Sequence, residues 1–503
     1  MLNITKVPYP VNDFENNIDG FKNTYENKDF KVKLNGQEVV CYNTRCSAVP
    51  FNRAFDGSHQ RQIEQTELLG LVSFEADEDV VVEVESVKAF ARALVRPLSK
   101  NISTVTNGNK VTLRLSTPGQ YCLELDDEHT CLNLFYNPVK KFGSEKEYTK
   151  YYGPGLHVEG FVKLQSGDRV YIDKDAIIWG GIYGRDVEDV IIEGYGMVDG
   201  CILSRTNNHC RGIFMLHNCR NIKVDGIILS DSPFWVCAVY NCENLEINNL
   251  KITGQWRYNS DGIDIVNCRN VSITNSFIHA FDDVIVLKGY AFYDAFTIDF
   301  VENIRVDNCI LWCNWGRSIE IGIETFDKEH RHISFTNCDL IHNSASAIDI
   351  QNGNCAHVHD VIVKNINVEF QRSTMPEIYQ FELDQKYDGY GKIAMPYLIV
   401  IDNHRYTDFL KSVFSEEVMA KVYAYTVDEE NFGQVSEVLI DNINIYVEEG
   451  LPNFKVKVFS DDPENSFENI TISNIYVNGE KVTNTDKFDL CIDERLKNFK
   501  LFE

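Results

Sequence analysis

Over residues 31–137 apolar and polar positions alternate in short runs, F-K-V-K-L, D-V-V-V-E-V-E, K-V-T-L-R-L and Y-C-L-E-L among them. A period of two puts every second side chain on one face, so these runs predict half-buried β-strands. Asn35-Gly36 and Asn107-Gly108 supply residues that tolerate positive φ, as tight hairpins require. Strands at this spacing predict an N-terminal β-sandwich over residues 1–140. Residues 138–150 are charged and poor in apolar side chains, and read as a boundary.

From Tyr151 the rhythm changes to very short apolar runs between glycines and asparagines. The fragments N-I-K-V at Asn221, N-L-E-I at Asn244, N-V-S-I at Asn270, N-I-R-V at Asn303 and H-I-S-F at His332 recur at spacings of 23, 26, 33 and 29 residues. Strand-like units at such a period, with no helical stripe, predict a right-handed parallel β-helix over 151–495. The recurrent Asn residues are expected to stack as hydrogen-bonded ladders at its turns. The repeat stops after Phe370 and resumes at Val435. The insertion between, at about 371–434, carries one helical pattern over 408–422 and has three open roles: covering a cleft, mediating self-association or capping the solenoid.

A chain of 503 residues exceeds one ordinary globular core, but a solenoid extends its core by adding coils. The net charge of -27 disfavours nucleic acid, anionic membranes and polyanionic substrates. The first residues show no basic region before an apolar run, and no stretch approaches bilayer length. A soluble, cytoplasmic protein is the expectation, or a secreted one if a signal peptide has been removed. Of the 15 cysteines, Cys219, Cys242 and Cys268 share the repeat position N-C-x-N, and Cys309 and Cys338 share another. Equivalent positions stack along a solenoid, so these predict reduced core ladders rather than disulfides or a metal site.

Candidate chemistry gathers in residues 256–288, which hold Asp261, Asp282 and Asp283. The 21-residue step from Asp261 to Asp282 is about one coil, which would seat Asp282 over Asp261. Crowded carboxylates repel when ionised, so one of them should keep its proton and serve as a general acid. Successive strand residues face opposite ways, hence at least one of Asp282 and Asp283 must sit in a bend. His279 reads as a hydrogen-bonded turn residue.

N-S-D-G-I-D-I at 259–265, D-D at 282–283, D-G at 199–200 and S-P-F-W at 232–235 together resemble the polygalacturonases of glycoside hydrolase family 28. The dextranases of family 49 are similar in their three-Asp plan and in joining a β-sandwich to a β-helix. The resemblance covers roughly residues 151–360. It implies an inverting glycoside hydrolase without a cofactor or metal, in which Asp282 protonates the glycosidic oxygen while Asp261 and Asp283 hold and deprotonate the attacking water. It further suggests Lys288 as a sugar-binding residue. Two departures bear on substrate. Arg317 stands where the family has His, and Asp349 falls in the segment where the family carries a cationic pair for a substrate carboxylate. An uncompensated uronate would be bound poorly, so a neutral α-linked oligo- or polysaccharide is expected rather than pectin. Asp264, Arg317 and Glu320 are further candidates for substrate binding, and Trp256 and Trp315 are expected at the cleft as sugar-stacking faces. The rival readings are a polygalacturonan hydrolase, a Ca²⁺-dependent polysaccharide lyase and a non-catalytic carbohydrate-binding β-helix.

Overall fold

A computed structural model of the chain describes residues 1–5, 14–16, 21–23, 26–48, 65–205, 212–290, 297–373, 395–403, 415–417, 419–420, 433–461 and 467–502. The N-terminal region holds two large sheets and a separate two-stranded pair, Phe14–Asn16 with Phe21–Asn23. One has the order Leu2–Ile4, Thr66–Ala76, Asp127–Pro138, Gly119–Leu125, Ala93–Arg96, with Tyr42–Ser47 also paired to Thr66–Ala76. The other has the order Thr104–Asn107, Lys110–Leu115, Val80–Ser86, Phe30–Leu34, Gln37–Val39. Alternation explains the packing: in Phe30–Leu34 and Val80–Ser86 every second residue is buried, while Lys31, Lys33, Val81 and Glu83 face outward. Phe30, Val82 and Leu113 of one sheet meet Phe74, Tyr121 and Leu134 of the other in a single core. The Asn35-Gly36 hairpin turns with φ of 47° and 80°, the positive pair that a type I′ turn requires.

The rest of the described chain is a parallel β-helix with three faces. The first face stacks Glu188–Gly194, Arg220–Asp225, Glu243–Asn248, Arg269–Thr274 and Phe300–Asp307. The second stacks Phe214–His217, Cys237–Tyr240, Ile263–Val266, Ile285–Tyr290, Arg317–Phe326 and Ser346–Asn352. The third stacks Met197–Asp199, Ile228–Ser230, Lys251–Thr253, Phe277–Ala280 and Ile310–Cys313. Aliphatic columns such as Ile265, Leu287, Ile321 and Ile350 fill the interior.

The turns are built from asparagine. Asn221, Asn244, Asn270 and Asn303 all have φ between 54° and 59°, and each amide donates to the oxygen of the one before, at 2.8–2.9 Å. Asn tolerates this left-handed conformation and carries both a donor and an acceptor, so the ladder propagates. Cys219, Cys242 and Cys268 are buried and unoxidised, and the backbone N–H of each of the first two donates to the next sulfur at 3.3 Å.

Within the expected insertion, Tyr397–Asn403 pairs in parallel with Ser346–Asn352 and with Phe454–Ser460, so the second face runs through it without a gap. Most of the helical pattern at 408–422 lies outside the described residues. The sandwich packs on the third face, where Leu69, Leu71 and Phe135 meet Ile228, Phe277 and Ile310. Among the described residues no helix is long and apolar enough to cross a membrane.

Candidate active site

The acids sit where the chain turns from the third face onto the second. Asp282 and Asp283 occupy a bend between Phe277–Ala280 and Ile285–Tyr290. The bend releases them from strict alternation, so both side chains can serve one site. Asp261 lies at the same corner one coil earlier. The ladder fixes the register: Ile263 pairs with Ile285 and the Gly262 N–H donates to the Asp283 carbonyl at 2.7 Å. Asp283, not Asp282, therefore stacks over Asp261, and Asp282 stacks over Ser260. On the next coil the Val284 N–H bonds to the Arg317 carbonyl at 2.8 Å, which puts Arg317 over Asp283.

Two further acids come from the second face. Asp264, Val286, Glu320 and Asp349 form one register column, and their strand neighbours Ile263, Ile265, Ile319, Ile321, Ile348 and Ile350 are in the core, so this column points outward. The six acids Asp261, Asp264, Asp282, Asp283, Glu320 and Asp349 are nevertheless no more than 7% exposed, and desolvation works against a charge on each.

Two cations meet them. The Lys288 ammonium lies 3.3 Å from Asp261 Oδ2 and 3.0 Å from Asp264 Oδ1. The Arg317 guanidinium lies 3.5 Å from Asp283 Oδ1, 3.6 Å from Glu320 Oε1 and 3.6 Å from Asp349 Oδ2, and its backbone N–H donates to Asp283 Oδ1 at 2.9 Å. The outcome differs between adjacent residues. Burial and the neighbouring Asp283 charge push Asp282 well above the carboxylate range. Burial works the same way on Asp283, but Arg317, a hydrogen bond with Glu320 and Lys288 outweigh it and hold Asp283 below that range. Burial and Asp264 raise Asp261 well above its ordinary value against the pull of Lys288, and burial lifts Asp264 to about 7. Asp282 is thus built to carry a proton and Asp283 a charge.

Gly316 makes the arrangement possible. A β-carbon there would stand 2.3 Å from Asp283 Oδ1 and 2.6 Å from Asp282 Oδ1, so both carboxyl groups lean into space that only glycine leaves open. Position 316 was not singled out from sequence, although its place beside Arg317 in the W-G-R run offered a hint.

The tryptophans are distributed differently from expectation. Trp256 is buried, and its indole N–H donates to Asp231 Oδ1 at 2.9 Å, so its ring is part of the framework. Trp315 is half-buried and stacks on Phe281 at 5.9 Å. Trp235, from the S-P-F-W run, lies against Lys288, whose ammonium is 4.0 Å from its ring centroid. His279 is buried, packs on Trp312 at 4.0 Å and pairs with Asn314 Oδ1 at 3.1 Å. Burial pushes it down to about 3, so it is neutral and belongs to the packing. Among the described residues no group of three or more His, Cys, Asp or Glu side chains is arranged to hold a metal ion.

A profile of the family described as glycosyl hydrolases family 28 matches residues 155–455. Among curated proteins, the polygalacturonase-2 of Solanum lycopersicum is 22% identical over 59% of this chain and 64% of its own length, and a dextranase of Arthrobacter sp. is 23% identical over 43% of this chain and 36% of its own. The chain spans about half the length of the curated relatives it matches. Among solved structures, Dex49A from Penicillium minioluteum aligns over 99% of this chain and 96% of its own with a TM-score of 0.62 at 11% identity, a likeness of fold.

Proposed function

The chain belongs to the glycosyl hydrolases of family 28, and from that premise we propose that it hydrolyses a neutral α-linked glycan with inversion, using Asp282 as general acid and Asp283 to deprotonate a water that Asp261 helps to hold. The observation that carries the reading is the placement of two adjacent buried acids at one glycine, with Asp283 and not Asp282 within 3.5 Å of the Arg317 guanidinium. Asp282 keeps its proton through burial beside a charged neighbour; Asp283 keeps its charge under Arg317. A glycosidic oxygen departs as a poor leaving group and needs a proton in the transition state, while the attacking water must lose one. Asp261, one coil from Asp283 and beside Lys288, holds the water from the other side.

The substrate class rests on charge. Six buried acids face two cations, and both cations are already engaged by protein carboxylates. A uronate would add a charge beside two cations that protein carboxylates already neutralise. Buried oxygens of Asp261, Glu320 and Asp349 accept no hydrogen bond from the protein, and sugar hydroxyls are donors that would satisfy them.

Reducing-sugar release from a panel of neutral and acidic glycans tests this. Release from a neutral α-glucan and product anomers that proton NMR shows to be inverted are expected. De-esterified pectin as the best substrate would overturn the charge argument, and a retained anomer would overturn the mechanism.

A further inference from the structure

Arg317 was expected to bind substrate, but its surroundings give it other work. Its guanidinium reaches carboxylates on three successive coils: Asp283 at 3.5 Å, Glu320 at 3.6 Å and Asp349 at 3.6 Å. Its own backbone N–H fixes the same Asp283 oxygen at 2.9 Å. Asp349 is itself held, by the Ser346 hydroxyl at 2.6 Å, so the far end of the clamp is rigid. A planar guanidinium with several donors suits such bridging as a lysine would not.

We propose that Arg317 is a positioning residue, clamped by Glu320 and Asp349, that holds the Asp283 carboxylate in place and in its charged form rather than contacting the substrate. This rests on the reading of Asp283 as the base. The groups facing Asp283 are Asp261, Asp264 and Lys288 on the near side, Asp282 beside it, and Cys313, Arg317, Glu320 and Asp349 beyond. Among them Arg317 and Lys288 alone carry positive charge, and Lys288 lies against Asp261 and Asp264. Arg317 is thus the cation that decides the state of Asp283.

The test is kcat/KM against pH for wild type, Arg317→Gln and Arg317→Lys, with Asp283→Asn as a separate control. Loss of an opposite charge at this distance should move the acidic limb of Arg317→Gln up by about 1–3 pH units, with KM little changed. Arg317→Lys keeps the charge without the fork and should move the limb less in the same direction, which keeps the test usable if the Gln variant folds poorly. An unmoved acidic limb with lowered kcat would overturn the proposal, and so would a raised KM on an unmoved limb, since Arg317 would then touch substrate. Full activity in Asp283→Asn would instead bring down the three-acid reading on which the proposal stands.

Discussion

A β-carbon at position 316 would fall within 2.3–2.6 Å of oxygens on both Asp283 and Asp282, closer than non-bonded atoms can stand. Gly316→Ala must displace one acid or both. Misplacement of a reacting group by about 1 Å can cost about 10²-fold, so kcat/KM should fall by about that factor while thermal unfolding changes little. A variant of unchanged activity would show that the two acids do not have to occupy this space during catalysis. The acids also set the pH profile. In the proposed mechanism Asp283 works ionised, and its pKa lies below the carboxylate range, so loss of activity through protonation of Asp283 should appear only as pH drops through that depressed value. In the same mechanism Asp282 works protonated, and its pKa is raised, so activity should decline as pH rises through it. Asp282→Asn should remove the alkaline limb and slow substrates with poor leaving groups by about 10²–10⁴-fold, while activated aryl glycosides suffer less. Equal losses on both substrates would contradict the assignment of Asp282.

At the scale of elements, the Asn ladders show how much a repeat can reveal. N-apolar-x-apolar recurrence marked the turns because each rung is determined locally, by a left-handed backbone and an amide that both donates and accepts. Asn270 has φ of 56° and bonds to Asn244 and Asn303 at 2.9 and 2.8 Å. Asn270→Ala should cost about 1–3 kcal/mol, from lost hydrogen bonds and a strained φ. Asn270→Gly should cost less, because glycine accepts that φ. Equal loss in denaturant unfolding would show that the hydrogen bonds alone matter. Register at the acid corner was less legible. A count of 21 residues suggested Asp282 over Asp261, whereas the ladder pairs Ile263 with Ile285 and sets Asp283 there. Coil lengths vary, and only the inter-strand hydrogen bonds fix which residue lies above which. Trp256 was misjudged for a related reason: Asp231, from another coil, takes its indole N–H, and no local pattern announces that partner.

At the scale of the whole molecule, both the sandwich and the β-helix could be read from periodicity, but not the charge buried between them. Arg96 of the sandwich, 2% exposed, meets Glu124 at 2.7 Å and Glu369 of the β-helix. Glu124 also pairs with His342 at 2.5 Å, and the Leu98 N–H donates to Glu369 at 2.7 Å. Burial opposes charge on both acids. For Glu124 it is outweighed by Arg96 and His342, which hold it at about 2, while Glu369 is left at about 7. The two therefore act in opposite senses. An unfolded glutamate titrates near 4.3, so Glu124 adds stability that is present above that value and is lost as pH falls toward about 2. Glu369 favours the folded state most at acid pH, and that contribution is lost as pH rises through about 7. Removing one member of a buried ion pair costs about 3–5 kcal/mol because the other charge is left uncompensated. In Arg96→Ala Glu369 loses its ion-pair partner and Glu124 keeps only His342, so both should take up protons, which makes the loss greatest at neutral pH and smaller where they are already protonated. The gap in unfolding temperature between wild type and Arg96→Ala should accordingly narrow as pH is lowered from about 8 to about 4. A gap independent of pH would mean that Arg96 joins the two parts through the packing of its side chain, and that its charge contributes nothing to their union.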